Sequence, residues 1–290
     1  MKSTHRLSGV LFSAVCLLLL VMPVKSAMAD AQSKRIAIEY EPPKNPAHQP
    51  LYEMLKERRV LEKLQEIFSP FQLPIELTFK TVGCDGLSNA WYSRPIVTIC
   101  YEYLAEIQRD MPKETTSAGV TPADAVLGQF FYAVAHETGH AMFDLLSVPI
   151  FGYQEDAADQ FAGYIILQFG KVDARRLILG AAHSYKKYVQ NPTVTAPLTA
   201  FSDEHSPPAQ RFYNLLCLAY GADRVLFADF VEQNYLPKER AKICRGQYGE
   251  LVYAFHQLIA PHLDKQLAKQ VMDTSWLQAD DMTSGAKKPN

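Results

Sequence analysis

The chain has 290 residues, of which 48% are hydrophobic and 11% aromatic. That content can bury a core and excludes an intrinsically disordered chain. The 29 basic and 31 acidic residues leave a net charge of −2, so no basic excess points to nucleic acid.

Lys2, His5 and Arg6 open the chain, and an apolar run from Gly9 to Val24 follows. The run is shorter than the roughly 20 residues that span a bilayer. Ala27-Met28-Ala29 then puts small residues where a signal peptidase reads. Residues 1–29 therefore read as a signal peptide cleaved after Ala29, with an uncleaved anchor as the competing reading. Cleavage removes Lys2, Arg6 and Lys25 and no acidic residue, which takes the net charge from −2 to −5. It also removes Cys16 and leaves Cys84, Cys100, Cys217 and Cys244. Four cysteines can pair fully in an oxidising compartment. The expectation is an exported protein, periplasmic or secreted, with no transmembrane segment in its mature part.

Residues 30–272 read as one unit and 273–290 as a loose tail. Arg35–Tyr40 alternates and reads as a strand. Glu41–Pro50 holds four prolines and reads as a connector. Apolar residues at helical spacing predict a helix over 51–68. Pro74–Val82 and the β-branched Ile96–Cys100 predict two more strands. Gly83–Ser88 reads as a turn, and Asn89–Tyr92 belongs to a hairpin. A helix is expected over Tyr101–Asp110. Thr121, Pro122 and Asp124 have the chemistry of a helix start, and that helix should reach about Leu146. Further helices are expected near 154–169, 173–190, 208–220, 223–234 and 247–271. A small mixed N-terminal sheet followed by helices is an α+β pattern.

His136-Glu137-Thr138-Gly139-His140 lies inside the helix that starts at Thr121. Positions i and i+4 share a helix face, so both imidazoles can reach one metal ion. Glu137 projects beside that ion, where a carboxylate can take a proton from the water the metal acidifies. Two imidazoles and one carboxylate suit zinc, one ion per chain, with a fourth position left open. The pattern arises by chance in roughly one chain of this length in a hundred. The competing reading is a surface helix with unrelated histidines, but the flanking residues Phe130, Phe131, Val134, Ala135, Ala141, Met142 and Phe143 are apolar.

Downstream stands Glu155-Asp156-Ala157-Ala158-Asp159, separated from the motif by a break between helices at Pro149–Gly152. Glu155 is the natural third ligand, with Asp156 as its rival. Asp159, four residues on, can accept a hydrogen bond from the free nitrogen of a ligating histidine. Asp144, four residues after His140, is a weaker candidate for such a role. His205 lies in a polar loop, Asp203–Pro208, where it can stabilise an oxyanion. Arg211 follows and can pair with Asp159, Glu155 or another site carboxylate. For these two the competing reading is a surface loop and a solvated arginine. His48, His183, His256 and His262 carry no motif and read as surface or core residues.

HETGH with EDAAD downstream resembles the gluzincin branch of zinc metallopeptidases. E-x-x-A-D followed by His205 and Arg211 is similar to its membrane-associated members, which have transmembrane helices where none is expected here after the signal. A closer resemblance is to a bacterial family of exported metallopeptidase-type proteins whose physiological role is unknown. It rests on the Cys84 region, Asn89-Ala90, Ile99-Cys100-Tyr101-Glu102, HETGH, EDAADQFA and the DEH…QRFYNLLC stretch, and it spans most of 35–255. It implies a zincin-like fold, His136, His140 and Glu155 as metal ligands, Glu137 as catalytic base, and His205 and Arg211 as catalytic residues. It supplies little about substrate; the metallopeptidase reading itself leads to the expectation of a peptide or protein substrate.

Sequence locality favours the pairs Cys84–Cys100 and Cys217–Cys244 among the three possible connectivities. Zincin-type peptidases hold an extended substrate against an edge strand; Ile96–Cys100 is the expected strand here, with Asn89–Tyr92 as its rim. The expected function is hydrolysis of peptide bonds with Glu137 as general base. Two rivals remain: a non-catalytic zinc-containing module that binds peptides or partners in the cell envelope, and a structural envelope protein whose motif is accidental.

Overall fold

The computed structural model describes residues 35–189 and 197–277. The expected signal peptide and residues 278–290 of the expected tail lie outside them. The architecture is α+β, a four-stranded sheet followed by helices. β1 (Ile36–Tyr40), β2 (Leu77–Val82), β3 (Ala90–Ser93) and β4 (Ile96–Cys100) stand in the order β1-β2-β4-β3. The first three in that spatial order run parallel, and β3 pairs antiparallel with β4. Val97, Ile99 and Cys100 are buried, as suits an interior strand covered on both faces.

This order corrects one expectation. Ile96–Cys100 is not an edge strand, because β3 covers its free side. The edge is the four-residue β3, which the sequence marked only as part of a hairpin.

The expected helix over 51–68 is two helices, α1 (Gln49–Glu57) and α2 (Val60–Phe68). Arg59 breaks it by adopting a left-handed conformation, φ 52°, which is uncommon for a non-glycine residue and unmarked by Gly or Pro. α3 (Tyr101–Asp110) leaves directly from β4. α4 (Pro122–Leu145) starts as its cap predicts: Thr121 Oγ1 accepts from the N–H of Asp124 at 3.0 Å. α4 buries residues on every side, the pattern of a central helix.

α5 (Gln154–Leu167), α6 (Lys171–Ser184), α7 (Pro208–Ala222), α8 (Lys238–Leu258) and α9 (Lys265–Asp273) complete the long helices. α4 and α6 approach closely through Gly128 and Gly180. A Cβ on Gly180 would lie 1.8 Å from the carbonyl oxygen of Asp124, so no larger residue fits. The expected helix over 173–190 ends at Ser184, with a separate turn at Lys186–Val189. Residues 223–234 form turns with one helical turn, Asp229–Glu232, rather than a helix. The expected helix 247–271 starts earlier, after Pro237, and breaks around Ala260–His262 before α9. Ser275–Leu277, expected in the loose tail, are held: Asp173 accepts from the N–H of Trp276 at 2.8 Å.

Both expected disulfides are present. Cys84–Cys100 ties the loop before β3 to the end of β4, and Cys217–Cys244 joins α7 to α8. Among the described residues, no helix is long and apolar enough to cross a membrane.

Candidate metal centre

α4 presents His136 and His140 on one face, and the chain reverses through Ser147 and Gly152, both at positive φ, to bring α5 back against it. Gly139 permits the contact: a Cβ there would stand 3.1–3.3 Å from Phe161 and Ala158 of α5. Glu155, in the first turn of α5, thereby reaches both imidazoles. Its Oε2 lies 2.9 Å from His136 Nε2 and 3.3 Å from His140 Nε2, and the two Nε2 atoms are 3.2 Å apart. Asp156, the rival ligand, turns away and accepts from Ser206 Oγ at 3.0 Å.

A tetrahedral zinc ion with ligands at about 2.05 Å spaces them about 3.3 Å apart. The three observed spacings are near that edge length, and both histidines are buried. The donor set therefore fits a zinc ion, and His136, His140 and Glu155 form a possible metal site.

His136 is oriented from behind. Its Nδ1 lies 2.8 Å from Asp159 Oδ1, which leaves Nε2 facing the other ligands. Asp159 in turn takes two bonds from Arg211, Nε to Oδ2 and Nη2 to Oδ1, both 2.7 Å. Of the partners expected for Arg211, the structure gives it Asp159. The guanidinium lies over the Tyr185 ring, 5.5 Å from its centroid. Asp159 and Arg211 line a cavity of about 870 Å³, with Gln160, Arg240 and Glu250 among its other walls.

Glu137 is largely buried. Its Oε2 accepts from the N–H of Tyr92 in β3 at 2.9 Å, and its Oε1 is 4.0 Å from His136 Nε2. His205 Nε2 lies 2.8 Å from Glu155 Oε2, and its ring stacks on His136 at 5.8 Å. Asp203 accepts from the backbone N–H of His205 at 2.9 Å. Asp144 does not serve His140. It accepts from Tyr92 OH at 2.6 Å and from Arg94 at 3.0 Å.

The charges follow from these contacts, in the metal-free chain. Burial raises the Glu137 carboxyl to about 7, against the His136 charge and the Tyr92 N–H. Burial opposes charge on His136, yet the hydrogen bonds it donates to Asp159 and Glu155 outweigh it and bring the imidazole to about 9. Burial also works against the Glu155 and Asp159 anions. His136 and its neighbours overcome it, holding Glu155 down at about 2 and, with Arg211, Asp159 well below the usual carboxylate range. Burial and the nearby His136 lower His140.

The sequence reading missed two tyrosines and gave Tyr92 only as part of the rim. Tyr132 interacts with Asp159 and stands four residues before His136, a spacing that would have found it. Tyr185 carries no such signal.

A family model described as "Putative metallopeptidase" matches residues 40–259. Neither curated proteins nor solved structures gave a match to the chain. The chain belongs to this metallopeptidase family, DUF4344.

Proposed function

We propose that the protein is an exported zinc metallopeptidase with a zincin-like catalytic unit, residues 30–272, in which His136, His140 and Glu155 hold one zinc ion. When bound, the metal supplies Lewis acidity: it makes a water more acidic and polarises the substrate carbonyl. Glu137 takes the proton of the attacking water on Oε1 and returns it to the leaving amine. Asp159 fixes the His136 tautomer, and Arg211 acts by holding Asp159. His205, on the open side of the site, donates to the developing oxyanion. Ala90 and Tyr92 are the residues of β3 whose backbone groups point away from β4; their N–H groups bond Asn89 and Glu137, so their outward carbonyls are what β3 offers an extended peptide.

The observation that carries this reading is the convergence of His136 Nε2, His140 Nε2 and Glu155 Oε2 at near-tetrahedral spacing, with Glu137 beside them. A binding module needs only the three ligands. The buried Glu137, whose Oε1 has no closer partner among the described contacts, favours an enzyme.

The test uses the zinc-loaded protein and an unfolded protein substrate. The wild type should carry one zinc and hydrolyse the substrate. Glu137→Gln should keep the zinc and lose turnover by about 10²–10⁴-fold. Unchanged hydrolysis in Glu137→Gln overturns the mechanism, a zinc-bound wild type without hydrolysis favours the binding module, and absence of stoichiometric zinc overturns both.

A further inference from the structure

Strand β3 touches the motif helix twice through a single residue. The N–H of Tyr92 donates to Glu137, and the Tyr92 hydroxyl donates to Asp144. Glu137 and Asp144 are seven residues apart on α4, two turns along the same face. Arg94, at the turn between β3 and β4, donates to the other oxygen of Asp144. Asp144 thus grips both ends of one strand segment, an oxygen for each residue.

The register explains why the N–H of Tyr92 is available. Trp91 pairs with Thr98 and Ser93 with Ile96, while the N–H of Cys100 donates to the carbonyl of Asn89. In an antiparallel ladder, the alternate residues Ala90 and Tyr92 then direct their backbone groups outward. With Oε2 of Glu137 held by that outward N–H, Oε1 is the oxygen left facing the metal ligands. The depth at which β3 sits on α4 therefore decides where the carboxylate points. The Arg94–Asp144 pair is half-exposed and contributes less than the shorter Tyr92–Asp144 bond.

We propose that Tyr92 and Asp144 are positioning residues for Glu137: the hydroxyl–carboxylate bond sets β3 on the motif helix, and the Tyr92 N–H then orients the catalytic carboxylate. This rests on the role given to Glu137 above, and neither residue touches the reacting atoms.

The test compares full-length, zinc-loaded Tyr92→Phe, Asp144→Ala, Asp144→Asn and the double variant Tyr92→Phe/Asp144→Ala. A misplacement of about 1 Å costs roughly 10²-fold, so Tyr92→Phe and Asp144→Ala should each lower kcat about 10- to 10²-fold with zinc still at one per chain. The double variant should be no slower than the worse single, because both remove the same bond. Asp144→Asn keeps an acceptor for the hydroxyl and should restore most of kcat, which a general loss of packing would not do. Hydrogen exchange at the Tyr92 amide reports the tether without reference to catalysis, and it should accelerate about tenfold or more in Tyr92→Phe. A kcat within twofold of wild type in both single variants, or multiplying losses in the double, overturns the positioning role. Unchanged amide exchange overturns the tether itself, even where hydrolysis by the wild type is absent and the reading of Glu137 has failed on its own account.

Discussion

The two walls of the metal centre are built differently. The inner wall, Asp159 and Arg211, is buried, and each group makes at least two polar bonds: Asp159 to His136 and twice to Arg211. The outer wall is sparser. His205 is 39% exposed at its side chain and stands on a loop whose anchor, Asp203, is itself exposed. Glu137 has one backbone donor on one oxygen and leaves the other without a close partner. The contrast assigns the work. Under the proposed function, the inner wall fixes the geometry of His136 and should fail structurally when cut, while the outer wall faces the substrate and should fail only in turnover.

Cutting the inner wall gives the largest expected effect on stability. Arg211→Ala takes two bonds from the largely buried Asp159 carboxylate and leaves it the one from His136. It should destabilise the protein by about 1.5–3 kcal/mol and weaken zinc binding, as read by denaturant unfolding and metal titration. Cutting the outer wall should look different. His205→Ala should lower kcat by about 10²-fold while the melting temperature and zinc content stay as in the wild type. An Arg211→Ala protein of wild-type stability, or a His205→Ala protein that loses its zinc, would erase the distinction between the walls.

A gentler probe is pH, applied to the metal-free protein. His136 and Glu137 have raised values in the fold, about 9 and about 7. Their contributions are present below the unfolded values and fade as pH rises through the folded ones. Glu155 and Asp159 are depressed, so theirs are present above about pH 4 and fade as pH falls below it. Thermal stability without metal should therefore be highest near pH 4–4.5, decline as Glu137 loses its proton, and decline more steeply from about pH 6.5 toward pH 9. Zinc requires neutral imidazole, so the stabilisation it confers should grow over that same alkaline range. Melting curves with and without zinc read both trends; a metal-free optimum above pH 8 would contradict the charge assignment.

The residues carried by helices were more legible in the sequence than the strand beside Glu137. HETGH and EDAAD have fixed helical spacings, so residue numbers alone brought His136, His140, Glu155 and Asp159 to one place. The Thr121 cap, the bounds of β4 and both cysteine pairs were legible for the same reason: each is a local signal. The edge strand was not. Ala90–Ser93 is only four residues long, and what makes it an edge is its place beside β4, a long-range pairing that no short pattern encodes. The break at Arg59 has no Gly or Pro to announce it. Residues 223–234 have helical apolar spacing but fold as turns, and α8 begins earlier than its periodicity suggested because Pro237 marks the start. The contact of Asp144 with Tyr92 rather than His140 follows from the missed strand.

The central claim is the identity of the three ligands. X-ray absorption at the zinc edge of the purified, zinc-loaded protein tests it most directly. The account predicts two imidazole nitrogens and carboxylate or water oxygens at about 2.0–2.2 Å, with one imidazole lost in His140→Ala. A sulfur at about 2.3 Å, or a spectrum unaltered in His140→Ala, would contradict it.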